Sequence, residues 1–121
     1  MRIKPYSRSN RYGHELQKLL AEIFLRELDT SNIGLITVTK VLVTKDLKLA
    51  KVYLSSLSNQ NAPERIIEFF SKRKKLIRKH LGSQITSKTV PDLRFFYDET
   101  FAEAEKIERL FSRIHLFDQD N

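Results

Sequence analysis

Two long stretches of the chain place their apolar residues at the spacing of an α-helix. In residues 10–28 the apolar positions repeat as i, i+3, i+4 and i+7, which predicts a helix capped by Ser9 or Asn10. The same repeat in residues 63–82 predicts a second helix about 30 Å long, with Asn61 as its cap. Each helix is expected to bury one apolar face.

Three further segments have the composition of β-strands. Residues 35–44 are dense in Ile, Val and Thr, and residues 49–57 alternate apolar with polar side chains. The short link between them suits a hairpin loop, which predicts an antiparallel pair. Residues 90–98 predict a third strand. Because a helix separates it from the second strand, it is free to lie parallel to a neighbour.

A short helix is the last predicted element. Thr100 and Glu103 match the capping-box pattern, and apolar residues follow at helical spacing. The order helix, strand, strand, helix, strand, helix predicts an α+β domain with a three-stranded sheet and helices packed on one face. We divide the chain into a basic N-terminal arm (residues 1–9), the domain itself (10–117) and an acidic tail (118–121).

Composition excludes several classes of chemistry. At 121 residues the chain is long enough for one modest core and too short for two. It contains no cysteine, so disulfides and thiolate metal sites are excluded. Its three histidines are isolated from one another, and its three glycines form no phosphate-binding loop. We therefore expect no metal, no cofactor and no catalytic activity.

The apolar runs are all short. None reaches the roughly 18 continuous apolar residues of a membrane span, and the first residues contain no apolar run of signal-peptide length. We accordingly expect a soluble, cytoplasmic protein. Because a single core uses most of the apolar surface, we also expect a monomer.

Charge is distributed unevenly along the chain. Residues 1–97 carry a net charge of +11 and residues 98–121 carry −4, which together make the overall +7. A basic body with an acidic tail indicates a nucleic acid partner first and an anionic membrane surface second.

The densest charge falls in the second predicted helix. Residues 72–79 contain no acidic side chain four residues from a lysine within the run, so pairing within the helix is not expected to account for these cations. The alternative to a binding surface is an ordinary solvated helix face. Arg73 is unusual because it falls on the apolar stripe. The first candidates for binding RNA phosphates are Lys72, Arg73, Lys74, Lys75, Arg78 and Lys79.

Other basic residues form two further groups of candidates. The second group is Arg8, Arg11, Lys88 and Arg94. Lys45, Lys48 and Lys51 come third, because lysines on a hairpin often only protect an edge strand. Aromatic residues able to stack on unpaired bases are Tyr12, Tyr53 and Phe96, whereas Phe69, Phe70, Phe95 and Tyr97 are assigned to the core.

Two other functions compete with RNA binding. A basic amphipathic helix lying on an anionic membrane would have to expose its apolar face, which so small a domain needs for its core. A nuclease or RNA-modifying enzyme would need a catalytic constellation, and the composition offers none.

Several short motifs resemble a known protein family. They include Ile33-Gly34 before the first strand, Asp46-Leu47 in the hairpin and Ala50-Lys51-Val52-Tyr53 in the second strand. The most specific is Val90-Pro91-Asp92-Leu93 followed by Phe95-Phe96-Tyr97-Asp98. In register over roughly residues 9–115, the chain resembles the ribosome-binding factor A family.

The resemblance implies a fold and a function. The fold is a KH-like domain of the type II order. The function is that of a bacterial assembly factor, not an enzyme, which binds the small (30S) ribosomal subunit and its 16S rRNA. Such a factor supports late maturation, including processing of the 5′ end of the rRNA precursor, and growth in the cold. An assembly GTPase acting on the same subunit is the implied further partner.

The chain departs from the family pattern at two places. Members usually carry an Ala-x-Gly break between two helical segments, and in register that break falls on Arg73-Lys74-Lys75. Without glycine, either the helix continues straight or the break forms by other means. The second departure is Thr30-Ser31-Asn32, where members commonly read Asp-Pro-Arg, a change expected to remove a rigid turn.

Overall fold

The computed structural model describes residues 7–57, 61–85, 89–100, 107, 108 and 110. The elements follow the order α1 (Arg8–Glu27), β1 (Ile36–Val43), β2 (Leu49–Ser56), α2 (Pro63–Lys72), α3 (Lys74–Gly82) and β3 (Asp92–Tyr97). This is the predicted α+β architecture, with one exception: two helices stand where one was expected. Most of the last predicted helix, most of the predicted arm and the whole tail lie outside the described residues.

Helix α1 begins two residues earlier than predicted. The hydroxyl of Ser7 accepts a hydrogen bond from the N–H of Asn10 at 3.2 Å, so Ser7 is the N-cap. The predicted caps, Ser9 and Asn10, are therefore wrong, since both lie inside the first turn. Both residue types, Ser and Asn, are good caps, and only the backbone geometry selects among the three positions. The helix ends at Glu27, as expected to within a residue.

The sheet has the order β1-β2-β3. β1 and β2 are antiparallel, as predicted, and β3 lies parallel to β2 after the helical crossover. In the hairpin loop, Asp46 Oδ1 accepts hydrogen bonds from the Thr44 hydroxyl (2.6 Å) and the Lys48 N–H (3.1 Å). Hydrogen bonds from the Thr44 side chain and the Lys48 backbone keep the pKa of Asp46 below its ordinary 3.8. The carboxylate thus stays charged and holds the turn.

A β-bulge at Thr39 divides β1 into two halves. The register with β2 shifts between Val38 and Lys40. From α1, Gln17 Nε2 donates to the carbonyl oxygens of Val38 (3.1 Å) and Thr39 (3.2 Å). The Thr39 hydroxyl donates to Asp98 Oδ2 at 2.7 Å, just past the end of β3. The bulge therefore joins α1, β1 and the end of β3, and it turns Lys40 to the outer face of the sheet.

The helices and the inner face of the sheet enclose one core. Phe70 of α2 is fully buried at its centre, where its ring lies 4.6 Å from that of Phe24 and 5.9 Å from that of Phe95. Helix α1 approaches β1 so closely at Gly13 that an added Cβ would lie 2.6 Å from the Val41 carbonyl oxygen. Helices α1, α2 and α3 pack on this one face, as predicted.

Candidate nucleic-acid interface

The basic run does not lie on one continuous helix. Helix α2 ends at Lys72, α3 starts at Lys74, and Arg73 between them has φ −100° and ψ 11°. The predicted single helix over 63–82 is therefore wrong. These angles lie in the bridge region, which a non-glycine residue can occupy, so the break forms without glycine. The N–H of Arg73 donates to the Phe70 carbonyl at 3.1 Å and closes the last turn of α2.

The start of α2 is tied to the loop before β1. Ala62 is the N-cap and has no side-chain capping bond, so the prediction that Asn61 caps the helix is wrong. Asn61 Nδ2 instead donates to the Ile33 carbonyl at 2.9 Å. Asn61 thus connects two parts of the chain 28 residues apart.

The loop that departs from the family pattern is held without proline. The N–H of Ser31 donates to Asp29 Oδ1 at 3.1 Å, and the N–H of Gly34 donates to the Thr30 carbonyl at 2.8 Å. Hydrogen bonds from Ser31 lower the pKa of Asp29 below 3.8, against the weaker opposing effect of desolvation. Gly34 has φ 90°, which favours glycine. The loop therefore keeps a defined turn, contrary to what the missing proline suggested.

Arg73 has a structural role at the break. Its guanidinium carbon lies 3.5 Å from the centre of the Phe69 ring, and Nη1 donates to the Phe69 carbonyl at 3.0 Å. An arginine on the apolar stripe is tolerated because its planar group covers the ring while remaining half-exposed. Arg73 thus stabilises the surface from which the neighbouring lysines extend.

Arg78 joins α3 to the segment that leads into β3. Its Nε donates to the Pro91 carbonyl at 3.1 Å and its Nη2 to the Val90 carbonyl at 2.9 Å. Both carbonyls belong to the two residues directly before β3. Two of the five N–H donors of Arg78 therefore hydrogen-bond to the backbone and stabilise the fold.

Two lysines of the run form ion pairs. The expectation that pairing within the helix does not account for the cations is wrong for Lys72, because Glu68 lies four residues before it on α2, whereas the partner of Lys74 lies on β3. Lys72 Nζ lies 2.9 Å from Glu68 Oε1, and Lys74 Nζ lies 3.4 Å from Asp92 Oδ1. Hydrogen bonding and charge from Lys72 lower the pKa of Glu68. Exposed pairs of this kind are screened by solvent and contribute little to stability, so each lysine can exchange its carboxylate for a phosphate.

Lys75 and Lys79 differ from the other four cations. Both are exposed, and within residues 61–85 and the other described ranges neither forms an ion pair or a side-chain hydrogen bond. Spaced four residues apart on α3, they lie on the same face of the helix. They provide exposed positive charge that no described carboxylate neutralises.

The remaining candidates lie on several elements. Arg8 and Arg11 are exposed in the first turns of α1, and Arg94 is exposed on the outer face of β3. Lys51 is paired with Arg94 in the sheet register. Lys88 lies outside the described residues. The hairpin loop contains Lys45 and Lys48, and the Lys48 carbonyl accepts a hydrogen bond from the Asp92 N–H at 2.8 Å.

The structure brings part of this set together around the start of β3. Asp92 contacts the hairpin through its backbone and Lys74 through its side chain. Burial tends to raise the pKa of Asp92, but the hydrogen bond from the Leu93 N–H and the charge of Lys74 outweigh it, so the pKa lies below 3.8. The start of α3 and the basic hairpin therefore border one another.

The aromatic assignments hold with one exception. Phe70 and Phe95 are buried, and Phe69 and Tyr97 pack against the core, as predicted. Tyr12 also packs against the core, so it is wrong as a free stacking residue. Tyr53 and Phe96 lie together on the outer face of the sheet.

Sequence reasoning missed two cations. Arg65 lines a cleft of about 220 Å³ next to the helix break, together with Phe69, Lys72 and Arg73. Its spacing of seven residues from Lys72 was the available signal, since i and i+7 share a helix face. Lys40 faces outward beside Tyr53 only because of the bulge, and no sequence signal indicated that shift.

Two other kinds of site were sought in the described residues. Among them, no three His, Cys, Asp or Glu side chains are grouped as metal ligands would be. In the same ranges, no helix has both the length and the apolar character to span a membrane.

The order α-β-β-α-α-β, the parallel β2–β3 pair and the broken helix between them define a KH-like domain with a basic helix pair. Residues 8–111 match the family model of ribosome-binding factor A. The chain is 37% identical over 108 residues to ribosome-binding factor A of Macrococcus caseolyticus, an alignment that covers 89% of this chain and 95% of that one. The chain belongs to the ribosome-binding factor A family.

Solved structures show the same fold. The crystal structure of ribosome-binding factor A from Thermus thermophilus superposes with a TM-score of 0.65 at 21% identity, covering 74% of this chain and 93% of that one. A homology model of the Thermus thermophilus factor, fitted into the cryo-EM map of its complex with 30S, gives a TM-score of 0.59 at 23% identity, covering 69% and 88%. The expected KH-like architecture is therefore confirmed.

Proposed function

We propose that this protein binds the small ribosomal subunit through its 16S rRNA and acts late in subunit assembly. Membership of the ribosome-binding factor A family supports this, as does the 30S complex of the Thermus thermophilus factor. The observation that carries the interface is the exposed Lys75–Lys79 face of α3, which begins at a helix break that Arg73 stabilises. Phosphate binding needs only accessible, solvated cations, and these side chains provide them.

The proposed contact surface follows from the surroundings of each cation. Lys72, Lys74, Lys75 and Lys79 would bind phosphates directly, with Arg65 added from the cleft beside the break. Arg73 and Arg78 would hold the surface in shape and contribute their remaining donors. Arg8, Arg11 and Lys88, together with the basic arm of residues 1–9, would extend the contact, and Arg94 would contact RNA separately from the outer face of the sheet.

The finer parts of the function belong to the same proposal. The protein would be cytoplasmic and monomeric, would catalyse no reaction, and would support 5′-end processing of the rRNA precursor and growth in the cold. An assembly GTPase would promote its release. Deleting its gene should therefore raise the fraction of precursor 16S rRNA with an unprocessed 5′ end, more so at low temperature. Normal processing at all temperatures would contradict this part.

Co-sedimentation with purified mature and immature small subunits over a salt series tests the interface. The double variant Lys75→Gln/Lys79→Gln should bind more weakly, with a log–log salt slope that is shallower by about 0.7–0.9 per lost phosphate contact. The control is Lys18→Gln/Arg26→Gln, which removes the same charge from exposed positions on α1, although Arg26, unlike Lys75 and Lys79, is paired with a carboxylate, that of Glu22. Equal losses in both variants would show that only net charge matters, and no loss in either would place the site elsewhere.

A further inference from the structure

The outer face of the sheet carries an aromatic pair that the core does not require. Strand register places Lys40 opposite Tyr53, and Tyr53 opposite Phe96, in one row across the three strands. The Tyr53 and Phe96 ring centres lie 5.3 Å apart with 25° between their planes, which is a stacked arrangement. Lys40 Nζ lies 4.5 Å from the centre of the Tyr53 ring. Helices α1, α2 and α3 pack on the opposite face.

Phe96 is the exposed end of this row. It is 38% exposed on β3, an edge strand, where alternation would ordinarily place a polar side chain. Tyr53 stacks against one side of its ring, and the exposed part of Phe96 is available for a further contact. A planar ring held rigid on one side is a suitable platform for a second ring.

The charges around the aromatic pair favour a polyanion. A nearby row across the sheet contains Lys51 and Arg94, which are paired in register, and Lys40 borders the pair on β1. Two described acidic residues lie near this face: Asp92 is paired with Lys74, and Asp98 accepts a hydrogen bond from the Thr39 hydroxyl. Three cations thus flank the stacked rings on this face.

We propose that this open sheet face is a second RNA-binding surface, which takes an unpaired base of single-stranded RNA against Phe96 while Lys51 and Arg94 contact the adjacent phosphates. Stacking on aromatic side chains within a basic groove is how proteins bind single strands with little sequence preference. The proposal rests on the proposed function for the presence of RNA, but it uses a surface opposite the helices. The helix pair supplies charge alone, whereas this face supplies stacking as well.

Cross-strand packing is the competing explanation of the pair. An aromatic pair on neighbouring strands stabilises a sheet by itself, with no ligand. Substitutions distinguish cross-strand packing from base stacking, because Phe96→Leu keeps an apolar side chain over Tyr53 but removes the ring on which a base would stack. Phe96→Tyr keeps both.

The test is fluorescence anisotropy with a labelled, unstructured oligoribonucleotide of about twelve nucleotides, a length suited to one single-strand site. Phe96→Ala and Phe96→Leu should weaken binding by about 5- to 150-fold, and Phe96→Tyr should bind like the natural protein. The salt slope should stay unchanged in all three, since no phosphate contact is lost, whereas Lys51→Gln/Arg94→Gln should make it shallower. Circular dichroism confirms that each variant is folded.

Three results would overturn the inference. The first is that the natural protein does not bind the oligonucleotide, and the second is that Phe96→Leu binds it as tightly as the natural protein does. The third is that a Phe96 variant binds the oligonucleotide normally but no longer co-sediments with small subunits. The last would assign the face to a ribosomal protein. Failure of the proposed function is distinguishable, because then the natural protein would not co-sediment with small subunits at all.

Discussion

Two pairs of cations in the same eight-residue run have opposite surroundings. Arg73 and Arg78 are half-buried and donate hydrogen bonds to backbone carbonyls, whereas Lys75 and Lys79 are exposed on α3. A guanidinium has several donors in one plane and can satisfy carbonyls while remaining charged, but a lysine ammonium is hydrated more strongly and prefers water. This run of like charge therefore contains residues with two roles. Arg73 and Arg78 stabilise the fold of the surface, whereas Lys75 and Lys79 expose positive charge on it.

The strongest test of this comparison is Arg78→Ala. Loss of the two hydrogen bonds to the Val90 and Pro91 carbonyls should lower the free energy of unfolding by about 2–3 kcal/mol, because both are charge-assisted and partly shielded. Urea denaturation measures it. Lys79→Ala, one residue away on the exposed face, is the control and should change stability by less than about 0.5 kcal/mol. Equal losses of stability in Arg78→Ala and Lys79→Ala would show that the half-buried arginines and the exposed lysines do not differ in role.

Arg73→Ala should have the next largest effect. It removes the contact with the Phe69 ring and one hydrogen bond, so we expect a loss of about 1–2 kcal/mol in thermal or urea unfolding. Arg73→Lys should restore part of this, since a lysine can still lie over the ring. If Arg73→Ala weakened RNA binding without changing stability, its side chain would be a direct contact and not a support.

The lysine pair should behave in the opposite way. Lys75→Gln/Lys79→Gln should leave the free energy of unfolding within about 0.5 kcal/mol of the natural value, because neither side chain has a partner in the described part of the chain. Equilibrium unfolding beside the salt-dependent binding series would show the two properties separating. A large loss of stability would mean that these lysines also support the fold.

The smallest expected effect concerns pH. The pKa of Asp92 is lower in the folded chain than its ordinary 3.8, so its ion pair with Lys74 stabilises the fold above that value and is lost as the pH falls below it. Because the pair is exposed, the contribution should not exceed about 0.5 kcal/mol. Unfolding measured from about pH 6 to about pH 3 should show a shallower decline for Asp92→Asn. An identical decline in both proteins would show that Asp92 contributes nothing.

Local patterns were sufficient for most of the fold. The helical and strand repeats of apolar residues located α1 and the three strands to within a few residues. The short link between the first two strands predicted the antiparallel hairpin. Phe70 and Phe95 were assigned correctly to the core because helical and strand spacing place them on the apolar face. These features depend on residues within about one turn or one strand of each other, so sequence alone contains them.

The candidate site was predictable as a region but not as a geometry. The run 72–79 was recognised from its charge, yet its ion pairs with Glu68 and Asp92 depend on residues outside it. The bulge at Thr39 was invisible because a one-residue shift reverses which side chains face outward. Lys40 consequently joined the aromatic face without any sign in the sequence.

By itself, then, the sequence determined the order of elements, the apolar faces that close the core and the charge that selects a polyanion, since each follows from neighbouring residues. Only the tertiary structure decided that the basic helix breaks at Arg73 without a glycine, which cations are held by carbonyls and which remain exposed. The reason is physical: Arg78 finds its acceptors 12 and 13 residues away, and Lys74 finds its carboxylate on another element. Such partners become neighbours only when the core brings α3 against the start of β3.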